Sequence, residues 1–550
     1  MLFRSHLLTN LPVELGAEAR GWTALLAETF GGRPEDYRAV VLERKSLDAR
    51  HKGNIRFLVA LGFDTDREVA RVMLPPGARL EPALPEVSCT VAPVAAPPRV
   101  VVVGSGPAGT FCALRLLDYG IAPIVLERGP DMSERVRTVN ILWNDGVLDP
   151  EANAQFGEGG AGTFSDGKLV TRIGHPAIRY VLEAFVRFGA DPRVRYLAKP
   201  HVGTDVIRKC SVLIRREAER RGAQYRFRSR LEDLVLDAEG RVAGARLASG
   251  EEIPCDALVL APGHSARDTF EMLHRRGVAL RPKAFAMGVR VEHPQELVDK
   301  AQYGPSAGHP SLFPADYKLV CNLSTARAAY SFCMCPGGEV IQCASEPGGV
   351  VVNGMSNARR DSGFANSGLV AKVNTSDFGS DHPLAGMHLQ RTWEQAAFRA
   401  ARESYGAPAM SVQDFLKGRP SGQLPRSSFR PFLVPADLAT CLPDFVQDQL
   451  RPALPEFDRK LRGFTSREAL LIALESRTSS PIQLLRGEDG QSVSHPGLYP
   501  CGEGAGFAGG ITSAAVDGIR VAEWIARKAG APVFEPFERR VKAGEVATDY

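Results

Sequence analysis

The stretch Val101–Gly109, V-V-V-G-S-G-P-A-G, constrains this chain more than any other. An apolar β-branched run enters a glycine turn, and a helical pattern follows at once. Gly104, Gly106 and Gly109 stand at the G-x-G-x-x-G spacing. One glycine permits the tight turn, one lets a pyrophosphate approach the backbone, and one lets helix and strand pack closely. The helix then offers free N–H groups and a positive dipole end to phosphate. The next apolar run, Ile121–Leu126, reads as a strand and ends in Glu127, 23 positions after Gly104 (127 − 104). That is close to the spacing of about 20 at which a carboxylate grips a ribose hydroxyl. Strand, turn, helix, strand and acid therefore predict a dinucleotide-binding β-α-β unit.

The chain has 550 residues, enough for several domains with their own cores. Its net charge of +4 is small for this length and does not indicate bulk attraction to nucleic acid or an anionic membrane. Ten cysteines lack any C-x-x-C pair, no metal-type ligand spacing is present, and Arg4, His6, Asn10 and Pro12 interrupt the first apolar residues. No apolar run approaches the ~20 residues of a membrane span. A cytoplasmic protein with free thiols is expected.

Residues 1–73 read as a small α+β domain, with a helix over Glu14–Phe30 and strands over Tyr37–Leu42 and Ile55–Phe63. Arg44, Lys45, Arg50, His51, Lys52 and Arg56 form a basic cluster, interleaved with Glu43 and Asp48. It reads either as an RNA- or polyphosphate-binding face or as a solvated turn; the turn is favoured. Residues 74–98 read as a linker, because Pro75, Pro76, Pro82, Pro85, Pro93, Pro97 and Pro98 exclude a continuous helix or central strand. Residues 99–280 carry the nucleotide-binding pattern, including an amphipathic helix over Thr204–Arg221 and strands at Gln224–Phe227, Leu231–Leu236, Val242–Leu247 and Ala257–Leu260. From 281 to 480 the chain turns rich in Gly, Pro, Asn and Ser, with a helix around Gly386–Tyr405, and reads as an inserted substrate-facing domain. From 481 to 550 it returns to a strand at Gly497–Pro500 and a helix over Ile511–Lys528.

Four glycine-bearing stretches lie far apart: Gly104–Gly109, Gly157–Gly167, Ala261–His264 and Cys501–Gly510. A nicotinamide-only domain needs just the first; a longer flavin cofactor needs backbone contacts along its whole length. V-V-V-G-S-G-P-A-G with Glu127, A-P-G at 261–263 and Y-P-C-G-E-G-A-G at 499–506 resemble the three separated motifs of FAD-dependent oxidoreductases. F-G-E-G-G-A-G-T-F-S-D-G-K-L (Phe156–Leu169), V-N-G-M-S-N-A-R-R (Val352–Arg360), the N-terminal domain and the late G-I-T-S-A-A-V-D-G resemble the bacterial family of uncharacterised FAD-dependent dehydrogenases. The resemblance implies an α/β fold: a Rossmann-like FAD-binding domain with an inserted α+β substrate domain and a small N-terminal α+β domain.

It also implies non-covalent FAD. Gly104, Ser105, Gly106, Pro107, Ala108 and Gly109 would hold the pyrophosphate, and Glu127, with Arg128 beside it, the adenosine ribose. Gly159, Gly160, Ala161 and Gly162 would pass N–H groups along the ribityl chain and flavin, with Gly263 nearby. Gly502 and Glu503 match a late motif that usually reads G-D, the acid here being one methylene longer. The helix from Ile511 would aim its N-terminus at the flavin edge where negative charge grows.

The expected activity is hydride transfer through flavin N5 to or from a small molecule. Lys168, Arg359 and Arg360 are the catalytic candidates. Lys168 would favour negative charge on the flavin, or else form a salt-linked pair with Asp166 on a turn. Arg359 and Arg360, clustered with Asn353 and Asn366, would bind an anionic substrate or tie loops together. Arg477 raises the same question. Cys333 and Cys335 form a C-x-C pair that would serve as a dithiol, or as buried small hydrophobes; residues two apart on a strand share one face without being well placed for a disulfide. Cys501 reads as a small packing residue in preference to a nucleophile, and His264 as a residue that reaches the cofactor or caps a helix. No second strand–GxGxxG–helix unit is found, so NAD(P)H as electron donor would need a site of another kind. The alternative reading is an RNA-binding or RNA-modifying protein in which flavin is auxiliary.

Overall fold

The structure, a computed structural model, describes residues 5–69, 72–83, 89–324 and 326–534. Residues 1–4, Pro85 of the proline run and the tail from 535 to 550 lie outside the described residues.

Val100–Val103 is buried along its whole length and is the middle strand of an all-parallel five-stranded sheet. The order is Leu498–Pro500, Ala257–Leu260, Val100–Val103, Ile124–Leu126, Gln224–Arg226. An unbroken apolar run is what a strand covered on both faces needs. Val100 and Val102 point toward the helices Pro107–Asp118 and Ile511–Lys528. Val101 and Val103 point toward an antiparallel three-stranded sheet of Leu231–Leu236, Val242–Leu247 and Glu252–Pro254. Leu498–Pro500 returns from the far end of the chain to pair with Ala257–Leu260. One domain is thus assembled from both sides of a long insertion.

The insertion is built on a seven-stranded sheet. Its order is Val320–Asn322, Ala328–Cys335, Phe364–Val373, Phe285–Pro294, Leu470–Glu475, Ala407–Ser411, Leu433–Pro435. Phe285–Pro294 pairs with Phe364–Val373 without interruption, from Phe285 opposite Val373 to Pro294 opposite Phe364. The helix predicted around Gly386–Tyr405 runs over Ala385–Ala400 and gives way to Arg402 and Glu403 in left-handed backbone. A second helix, Asp444–Lys460, has no sequence prediction, because Pro452 and Pro455 lie inside it. Its buried stripe of Val446, Leu450, Ala453, Leu454 and Phe457 holds it against the sheet despite them.

The N-terminal domain departs from expectation in detail. His6–Glu14 is a strand, and it occupies part of the predicted helix. The helix starts only at Trp22, because Gly16 and Gly21 take positive φ before it. The sheet order is Arg38–Asp48, Arg56–Asp64, His6–Glu14, Arg79–Pro82. The last strand belongs to the segment predicted as linker, and its proline sits at a sheet edge, where a missing N–H costs no ladder bond. Two later described residues of that segment are also tied down: the Val94 N–H donates to Tyr119 O at 2.9 Å, and Arg115 Nη1 donates to Cys89 O at 2.7 Å.

Candidate functional site

The carboxyl ends of the parallel strands open onto a cavity of ≈ 340 Å³, lined by all four glycine stretches in full or in part and by residues of the inserted domain. Gly104 leaves its strand with φ 99°, and its N–H donates to Leu126 O at 2.8 Å. A Cβ there would stand 2.2 Å from Ala261 O, so only glycine lets the two strand ends meet. A Cβ on Gly109 would stand 1.9 Å from Gly104 O. Gly109 therefore packs the helix onto the turn and does not line the cavity. Gly106 differs: a Cβ there would meet nothing closer than Gly160 Cα at 3.5 Å, so its bare Cα faces the cavity.

Ser105, Pro107, Ala108, Glu127 and Arg128 line the cavity as well. Glu127 is buried and accepts from Ser105 N at 3.1 Å, Ser105 Oγ at 2.6 Å and Gly129 N at 2.9 Å. Arg128 holds Glu151 and Asp268 with both edges of its guanidinium, which lies over the Phe156 ring. It lines the cavity, but its charge is matched.

The second glycine loop docks on the first through Gly159 N to Ser105 O at 2.9 Å. Gly160, Ala161 and Gly162 line the cavity; Gly159 packs behind, against Thr163 and Ser211. A buried residue with no sequence prediction shapes this loop. Arg135 donates to Asn153 O, Glu158 O, Gly160 O and Thr163 Oγ1. Burial pushes its pKa down to about 9. Its signal in the sequence is an arginine on the apolar stripe of a helix, at the spacing Met132, Arg135, Val139, Leu142.

Two helices, Pro107–Asp118 and Ile511–Lys528, meet the cavity at their N-termini, and neither has a side-chain cap. Uncapped N-termini leave N–H donors and positive dipole ends directed at the space. With the bare Cα at Gly106 and the buried Glu127 carboxylate, this donor set fits a dinucleotide with an anionic pyrophosphate. Gly263 and Glu503 also line the cavity. Gly502 does not: its N–H is taken by Asp517 at 2.8 Å, and Asp517 in turn pairs with Arg486. Burial raises Glu503 to about 7, against the pull of Lys283.

On the far wall, Asp166 is buried and gathers Lys168 at 3.6 Å, His201 at 3.3 Å, Arg360 at 2.9 Å and the Ser356 hydroxyl. Burial works against its charge, but these partners hold the carboxyl well below the usual range. Burial lowers and Asp166 more than restores the Lys168 pKa, which ends above its ordinary value. Lys168 lines the cavity. The two arginine expectations are corrected here: Arg360 is committed to Asp166, and Arg359 is exposed and does not line the cavity. Arg477 lines it but is paired with the buried Glu394, which Arg267 also grips. His264 lines it too, pushed down to about 4 by burial and the neighbouring Arg477 and Arg267. Arg290, absent from the sequence reading, holds Cys333 O at 2.8 Å, Asn366 at 3.2 Å, Asn353 and the Glu475 carboxylate. Cys333 and Asn353 lie on the cavity wall.

Three of the six basic residues in the N-terminal cluster have acidic partners. Asp48 holds Arg50 at 2.7 Å and Arg56 at 3.9 Å, and Lys45 pairs with Glu18 while lying over the Phe57 ring. No described helix is long and apolar enough to cross a membrane.

Residues 98–271 match the FAD binding domain, and residues 284–478 match the C-terminal domain-like model of FAD-dependent proteins. An uncharacterized protein of Clostridium beijerinckii is 48% identical over 437 residues, covering 79% of this chain and 82% of that protein. Among solved structures, a flavin-dependent brominase shares 14% identity over 81% of this chain and 83% of its own, with a TM-score of 0.36. A geranylgeranyl bacteriochlorophyll reductase-like protein of Thermoplasma acidophilum shares 15% over 82% and 84%, with a TM-score of 0.34.

Proposed function

The chain belongs to the family of FAD-dependent proteins that join these two domains, and from that premise we propose that it is an oxidoreductase moving a hydride between flavin N5 and a small anionic molecule. FAD supplies two-electron chemistry at one ring position when bound. The observation that carries the reading is the composition of the cavity wall: glycine loops and two helix N-termini on one side, and Phe332, Cys333 and Asn353 of the inserted domain on the other. A substrate held between them is shielded from water and close to the ring.

The chain's own groups divide the work. The amides before Ile511 and the Lys168 ammonium favour negative charge at the ring end. Lys168 and Arg360 share the single Asp166 carboxylate, so the cluster keeps a net positive charge, and Lys168 presents it on the cavity wall to an anionic substrate. Arg290 fixes the Asn353 amide at the wall. NAD(P)H would enter the same cavity, with no nucleotide domain of its own.

Anaerobic mixing with NADH and with NADPH tests the reading. One of them bleaches the flavin absorption, and deuterium at the transferred nicotinamide position slows the bleaching. Flavin that stays oxidised with both, yet takes electrons from one-electron donors, overturns it.

A further inference from the structure

Cys333 departs from the strand that contains it. Ala328–Cys335 pairs with Phe364–Val373 regularly as far as Phe332 opposite Gly368, then slips before Cys335 meets Asn366. In that slip Cys333 takes φ 44°, the left-handed region where a side chain with a Cβ is strained. The bulge turns Cys333 onto the cavity wall, while Cys335 stays buried behind it. The Cys335 thiol donates to the Cys333 carbonyl oxygen at 3.3 Å, which holds the two cysteines together across the bulge. Arg290 grips the same carbonyl at 2.8 Å and so holds the bulge. The objection that C-x-C residues on a regular strand cannot bridge therefore does not apply, because this strand is not regular at that point.

We propose that Cys333 and Cys335 are a redox-active dithiol that exchanges an electron pair with the cofactor in this cavity. In the forward direction the Cys333 thiolate and the Cys335 thiol form one Sγ–Sγ bond. The Cys335 S–H bond breaks, and its proton and two electrons pass to oxidised FAD. In reverse, reduced FAD opens the disulfide. The inference rests on FAD occupying the cavity and not on the identity of the small-molecule substrate.

The surroundings suit the two sulfurs to different parts. The neighbouring Cys335 thiol, and the charges of Lys168 and Arg290, pull the Cys333 thiol below its ordinary range against the opposing burial and Asp166. The Cys333 neighbour and burial push the Cys335 thiol up. The sulfur that faces the cavity is the one inclined to ionise, and the one behind it is inclined to keep its proton, as thiol–disulfide exchange requires. All ten cysteines are free in this structure, and burial pushes Cys112, Cys343 and Cys441 well above the ordinary thiol range.

The test uses FAD-loaded wild type, Cys333→Ser and Cys335→Ser under anaerobic dithionite titration. Wild type takes up one more electron pair per FAD than either variant. In oxidised wild type, quenched in acid, denatured and alkylated, the peptide carrying both cysteines is unalkylated and lighter by two hydrogens; after reduction it carries two alkyl groups. Equal electron uptake in wild type and variants, with both cysteines alkylated in the oxidised enzyme, overturns the proposal. Should both variants lose FAD, the alkylation result on wild type decides alone. Dithionite replaces NAD(P)H here, so failure of the hydride reading does not affect the outcome.

Discussion

Ser105 donates twice to one oxygen of Glu127, from its backbone N–H at 3.1 Å and from its hydroxyl at 2.6 Å. The acid at the end of the second strand is thereby tied to the middle of the glycine turn. With Gly129 N on the other oxygen, three acceptor positions of the carboxylate are filled from within the protein. The fourth faces the cavity that Glu127 lines. Glu127 shapes the glycine loop, and in the proposed FAD complex it would receive a ribose hydroxyl.

Glu127→Ala is therefore expected to weaken FAD binding by about 2 kcal/mol or more, since it removes hydrogen bonds to a charged, buried acceptor. Glu127→Gln keeps the shape and loses less. The ratio of flavin to protein after gel filtration, and the FAD dissociation constant of each variant, measure the order.

Two glycines of the same turn separate folding from binding. Gly109→Ala places a methyl 1.9 Å from Gly104 O and is expected to destabilise the fold by about 3 kcal/mol through overpacking. Gly106→Ala has room in the protein, with Gly160 Cα 3.5 Å away, and should unfold within about 1 kcal/mol of wild type. Its methyl stands where a pyrophosphate would approach, so it loses FAD while folded. Thermal unfolding of the apoproteins together with FAD titration distinguishes the two.

Much of this was legible in residues 101–127, and for a physical reason. A parallel strand covered on both faces must be apolar throughout, and a phosphate turn must be glycine at fixed offsets. Glu127, Gly106 and the Ile511–Lys528 helix follow from such rules. Long-range neutralisation does not. Arg359 and Arg360 look alike in sequence, yet one meets Asp166 and the other meets solvent. Arg290 and Arg135 sit among apolar neighbours, and their partners lie far along the chain: Glu475 is 185 positions from Arg290, and Glu158 is 23 from Arg135. The Cys333 bulge depends on the register of a strand some thirty positions later.

Arg135→Leu is expected to cost about 3 kcal/mol, because several carbonyls of the 153–160 segment lose their buried charged donor. The loss should show as a lowered unfolding temperature and as new protease cleavage between Asn153 and Gly162. FAD should restore part of the protection, as a ligand of the folded state does.

FAD affinity should depend on pH through Glu503, which burial raises to about 7. Above that pH the carboxylate is charged and repels an anionic cofactor; below it the group is neutral. Affinity should therefore rise as pH falls from about 8 to about 6, with proton uptake on binding. Glu503→Gln should flatten the profile. A wild-type profile that is already flat contradicts the assignment.

The most direct test is the cofactor itself. Purified protein should be yellow, and acid precipitation should leave a colourless pellet and release FAD in equal amount to the chain, identified by mass. A colourless protein that binds no added FAD, or a pellet that retains the flavin, would contradict a non-covalent FAD site built from the Gly104–Gly109 turn.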